Sequence, residues 1–161
     1  MKGISVVGFA LVAALAVSSA CAEECTKEHP KVGSKATLTT IQYDVSGVLE
    51  IIDDCTFKVN LTYTAQGPDV FWYGADTKEN LASGFILEKE DGEPFMMPRS
   101  HGPYKDEEQI VKLPEKVTWD DVNAISVWCR AFAVDFGNAV FPEVEDTIIP
   151  EAEDVAEGAD K

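Results

Sequence analysis

Residues 55–64 read Cys-Thr-Phe-Lys-Val-Asn-Leu-Thr-Tyr-Thr, and this stretch decides the fold class. Cys55, Phe57, Val59, Leu61 and Tyr63 alternate with Thr56, Lys58, Asn60, Thr62 and Thr64. A period of two sends one set to a core and the other to solvent. The β-branched and aromatic content suits a pleated, half-buried surface. The stretch therefore predicts a strand, with Cys55 in phase with its buried set.

Further strands are predicted on both sides. Toward the N-terminus, Gly47 to Ile52 forms one, closed by the turn pair Asp53-Asp54, and Ala36 to Gln42 forms another. Residues 23–35 are polar, contain Pro30 and Gly33, and read as a lead-in arm. Toward the C-terminus, Gly67-Pro68-Asp69 breaks the chain before a short aromatic strand, Val70 to Tyr73. Phe85 to Glu88 and Gln109 to Leu113 follow as strands, separated by a Pro-containing loop over 94–104. Thr118 with Asp121 three residues on reads as the cap of a single helical turn.

Ala124 to Phe136 is the second strong strand region. Ile125, Val127 and Cys129 share one phase, and Phe132, Val134 and Phe136 the other. A bulge or tight turn near Arg130-Ala131 would bring both sets into one core. Seven to eight short strands punctuated by turns predict an all-β domain over 36–142, a β-sandwich or a barrel-like arrangement.

The two ends of the chain differ in composition from its middle. Lys2, an apolar run over 6–17 and the small residues Ala20-Cys21-Ala22 read as a signal peptide over 1–22, implying a secreted protein. That run is too short for a membrane-spanning helix, and no transmembrane segment is predicted elsewhere. Residues 143–161 hold eight acids and one Lys, and read as a disordered acidic tail. The whole chain carries 29 acidic against 13 basic residues, a field that repels nucleic acid and favours cations and basic partners.

Without the leader, three cysteines remain: Cys25, Cys55 and Cys129. Three cannot all pair within one chain, so one thiol is left over or pairs outside it. Closing Cys25 to Cys55 would clamp the arm to the long strand. Cys25 to Cys129 competes with it, and the sequence does not choose.

Several stretches together resemble the DM-thirteen (DM13) domain, the DOMON-associated domain found also in Skeletor-type proteins. They are Gly47-Val48-Leu49-Glu50-Ile51-Ile52-Asp53, Gly67-Pro68-Asp69-Val70-Phe71-Trp72, Leu113-Pro114, and Ile125-Ser126-Val127-Trp128-Cys129 followed by Phe132-Ala133-Val134-Asp135-Phe136-Gly137. The resemblance covers about residues 34–142. It implies an extracellular redox or electron-transfer role. Its signature Cys corresponds to Cys129, expected to act as a bare thiol or as a ligand to haem or a metal ion, with Trp128 and the 132–136 strand shaping the surroundings. It also implies an external redox partner, such as a DOMON or b-type cytochrome protein. The redox role needs Cys129 free, which favours Cys25–Cys55 as the disulfide.

Plainer readings stand beside these. An inward Cys on a strand is commonly a small buried hydrophobe. His29 and His101 have no zinc-like spacing to a Cys, and Met96 and Met97 are candidate soft ligands in a loop. Asp53, Asp54 and Asp69 read as turn formers. Phe71-Trp72-Tyr73 packs in a core or exposes a pair for stacking on a sugar. Asn60-Leu61-Thr62 is a glycosylation sequon, with Asn60 on the outward phase. No Ser/His/Asp set or phosphate loop supports a stand-alone enzyme. The competing function is a non-catalytic extracellular binding or matrix module, holding a sugar, a cation or a protein.

Overall fold

The computed structural model describes residues 25–65 and 67–143. The leader predicted over 1–22, and all of the acidic tail predicted over 143–161 except Glu143, lie outside the described residues. Among the described residues nine strands are formed: β1 (Lys35–Thr37), β2 (Thr39–Thr40), β3 (Val48–Asp53), β4 (Thr56–Tyr63), β5 (Val70–Ala75), β6 (Phe85–Ile86), β7 (Tyr104–Lys112), β8 (Ala124–Cys129) and β9 (Val134–Val140). They pair antiparallel throughout, in two sheets ordered β1-β3-β4-β7 and β2-β9-β8-β5-β6. Among the described residues, no helix is long and apolar enough to cross a membrane.

The alternating stretch behaves as its period requires. Phe57, Val59, Leu61 and Tyr63 on β4 are buried, while Asn60 is exposed. They face Val70, Trp72, Ile125, Val127 and Cys129 of the other sheet across one apolar core. Phe57 meets Trp72 edge-on with ring centroids 5.6 Å apart. The Trp72 indole N–H donates to Gln109 Oε1 at 2.7 Å, so a polar bond also ties the sheets together.

Two departures from the simple strand reading have local causes. The predicted strand over 36–42 splits at Leu38. Its side chain is buried in the core and its N–H bonds to the Gly47 carbonyl, so β1 joins the first sheet and β2 the second. The region 94–104 is loop with one 3₁₀ turn, Arg99–His101, and β7 begins earlier than expected, at Tyr104. The predicted helical turn at Thr118 is a hydrogen-bonded turn in which Asp121 accepts from the Thr118 N–H and hydroxyl.

The five-stranded sheet is covered on both faces at β5 and β8. All six residues of β5 and all six of β8 are buried. On the outer face Phe71, Tyr73, Ala75, Ala124 and Trp128 form a second cluster with Leu81, which a 3₁₀ segment over Lys78–Ser83 brings down onto it. β5 therefore reads as a continuous apolar run rather than an alternation.

Candidate functional site

β8 delivers Cys129 to its C-terminal end, where Cys129 pairs with Val70 of β5 on one side and Val134 of β9 on the other. Residues directly opposite in a sheet share a face. The sulfur thus lies inside the main core, and Cys129 is fully buried. Tyr63 of the opposing sheet is near. Burial raises the Tyr63 phenol above its ordinary value, the Gly67 N–H that it accepts pulls it down, and Cys129 pushes it up again. Gly67 is required there, because a Cβ would lie 2.2 Å from Val70 Cγ2.

The chain turns directly after Cys129. Arg130–Phe132 form a 3₁₀ turn that ends on Ala133 in the left-handed conformation, at φ 50° and ψ 50°. A bulge then makes Phe136 an extra residue on β9, turned into the core. The expected turn is there, but it does not bring every apolar residue inside: Phe132 is 69% exposed. Phe132 occupies the turn itself, where no pleat directs its ring inward.

Arg130 closes this end of the sheet. Its N–H donates to the Asp69 carbonyl and its Nε to Asp69 Oδ2, both at 2.9 Å. Its guanidinium lies over the Phe71 ring, 4.9 Å from the centroid. Asp69 holds the Arg130 guanidinium even more firmly protonated than usual. This positive group is spent on Asp69 and Phe71, on the face away from the sulfur.

Trp128 and Cys129 are not brought together. Successive residues of a strand point to opposite faces. Trp128 packs with Tyr73 on the outer face, ring centroids 5.9 Å apart, while Cys129 enters the core. The expected haem pocket shared by these two residues is therefore not formed. Cys129 belongs to the main apolar core, which also holds Met97, and among the described residues no His or carboxylate joins it in a group of three metal donors. Its surroundings do not fit a haem or a metal ion.

The remaining candidates fall elsewhere. Cys25 and Cys55 form a disulfide, Cα atoms 5.8 Å apart, and Cys129 is the free cysteine among the described residues. Cys25, Asp53 and Cys55 are also the described triad of metal-type donors, with both sulfurs committed to the disulfide. Phe71, Trp72 and Tyr73 are all buried, so no aromatic pair of this strand is presented to a sugar. Met97 is buried in the core, whereas Met96 is half exposed beside a groove.

One feature of the site had no sequence signal. Tyr63 stacks on Tyr104 with centroids 6.2 Å apart, and Tyr104 stacks on His101 at 4.2 Å with the rings 6° from parallel. His101 and Tyr104 are neighbours in sequence, but Tyr63 is distant, and only the pairing of β4 with β7 brings it onto Tyr104.

A family model described as "Electron transfer DM13" matches residues 37–141. This chain belongs to the DM13 family. It is 29% identical over 131 residues to a cytochrome b561, DM13 and DOMON domain-containing protein of Arabidopsis thaliana, covering 81% of this chain and 14% of the relative. It is 30% identical over 137 residues to protein Skeletor, isoforms B/C, of Drosophila melanogaster, covering 83% of this chain and 17% of the relative. The DM13 chain thus spans less than a fifth of the length of these relatives. No solved structure matches it. The match begins after the Cys25 position and ends at Phe141, so the disulfide of this DM13 chain joins Cys55, inside the match, to a residue outside it.

Proposed function

We propose that this DM13 domain is a secreted redox domain in which Cys129 is the oxidisable group. The observation that carries the reading is the division of labour among the sulfurs: Cys25 and Cys55 are bridged, and among the described residues Cys129 alone is free. The family description as an electron-transfer domain supports a redox role. The apolar leader and the disulfide support secretion. The exposed sequon residue Asn60 suits glycosylation in a eukaryotic host.

The geometry favours the thiol over a haem or metal ligand. With a peroxide-class oxidant, the sulfur of Cys129 attacks one peroxide oxygen, an S–O bond forms and the O–O bond breaks. Sulfur loses two electrons, and the products are a sulfenic acid and water, or the corresponding alcohol from an organic hydroperoxide. Because the sulfur is fully buried, the reaction runs through local opening of the β8 end. The adjoining 3₁₀ turn, with its exposed Phe132, is the segment that opens.

The test is peptide mapping of the folded protein after peroxide, with and without Cys129→Ser. Oxidation confined to Cys129, together with a partner-reduction activity lost in the variant, supports the reading. A Cys129 that stays unmodified, or activity that survives the substitution, overturns it and leaves the binding-module reading.

A further inference from the structure

We propose that His101, Glu107 and Met96 form a binding site for a redox-active soft metal, copper, in the surface groove above Tyr104. The groove encloses about 660 Å³ and lies between the loop over 94–104 and β7. His101, Glu107 and Met96 all line it. Nothing in this site involves Cys129, so the inference stands apart from the thiol chemistry proposed above.

The chain builds the site by a backbone device. Gly102 adopts φ 89°, a conformation that disfavours side chains, and Pro103 follows it. The reversal folds the 3₁₀ turn back over the start of β7. His101 then lies flat on Tyr104, and its Nε2 comes within 3.3 Å of Glu107 Oε1. Tyr104 is itself buried and stacked on Tyr63, so the imidazole rests on a fixed platform. A nitrogen and an oxygen donor thus converge at the rim of an open groove, with the ring orientation already set.

Met96 decides the class of metal. It sits two residues before Pro98 with 39% of its surface exposed, beside a Met97 that is buried. An imidazole and a carboxylate suit several divalent ions, but a thioether is a soft donor that selects Cu(I). Glu90 and Glu108 line the same groove and concentrate cations there, opposed by Lys89. The second His is arranged differently. His29 Nε2 faces Asp120 at 3.3 Å, and its Nδ1 accepts from the Lys31 N–H at 3.1 Å, so both ring nitrogens are engaged.

The experiment is titration of the folded protein with Cu(II) in air and with Cu(I) under anaerobic reducing conditions, with Zn(II) in parallel. His101→Phe preserves a ring over Tyr104 while removing the donor, and should weaken Cu(II) at least about tenfold. Met96→Leu should weaken Cu(I) by a similar factor and leave Zn(II) within about twofold. His29→Ala and Cys129→Ser should leave the His101-dependent equivalent in place. Circular dichroism confirms that each variant is folded, and His101→Gln replaces His101→Phe if the latter is not. Equal copper affinity in parent and His101 variant overturns the site. Unchanged Cu(I) affinity in Met96→Leu overturns the assignment to copper.

Discussion

Asp69 and Arg130 are joined by backbone and side chain at once, with the Arg130 N–H on the Asp69 carbonyl and the guanidinium on the carboxylate. Asp69 directly precedes Val70, and Arg130 directly follows Cys129, so the pair locks the strand ends that enclose the sulfur. Asp69→Asn keeps the shape and removes the charge. It should raise the alkylation rate of Cys129 in the folded protein, on the order of threefold, because local opening becomes easier. Thiol labelling followed over time checks this, and an unchanged rate would show that the latch does not govern access.

Trp72 and Gln109 couple the sheets through one buried hydrogen bond. Trp72→Phe leaves Gln109 Oε1 without its donor and opens space in the core. The cost should be about 2 to 4 kcal/mol. Urea denaturation measures it. Adding Gln109→Leu should recover part of the loss, since the orphaned acceptor is then removed.

The Cys25–Cys55 bridge closes a sequence separation of 30 residues. Cys25→Ser with Cys55→Ser should lower stability by about 3 kcal/mol in the chain-entropy picture. Of these three cysteines, only Cys129 should then react with a thiol reagent after unfolding. In the parent, unfolding without reductant should expose that same single thiol of the three.

Tyr104 and Tyr63 should make the fold sensitive to alkali. Burial is the largest cause in both, and it pushes the Tyr104 phenol up to about 12. An unfolded phenol ionises near pH 10. Between about pH 10 and 12 the unfolded state therefore holds fewer protons than the folded one, and stability falls as pH rises. Below pH 10 both states are protonated and this effect is absent. Urea midpoints at pH 9, 10 and 11 should decline in the parent, and the decline should shrink in Tyr104→Phe.

Periodicity made the sandwich legible. The alternation from Phe57 to Tyr63 names its own buried face, because a strand has only two faces and one must be apolar. The inward phase of Ile125, Val127 and Cys129 was legible for the same reason. Phe132 was not, since a residue in a turn has no phase, and the burial of Phe71, Tyr73 and Trp128 depended on a neighbouring segment carrying Leu81. For the candidate site, the unpaired cysteine could be counted but not located. The choice of partner for Cys25 needed the distance between the arm and β4.

By itself, the sequence determined an all-β domain, its resemblance to a family, and an odd count of cysteines once the predicted leader is set aside. Local pattern is enough for these, because side-chain alternation and residue counts need no knowledge of neighbours. Only the tertiary structure decided that Trp128 and Cys129 face different clusters, and that His101 lies against Tyr104 beside Glu107. Those relations are set by what packs on each face of a strand and where a loop folds back, and such closures leave no periodic mark on the chain.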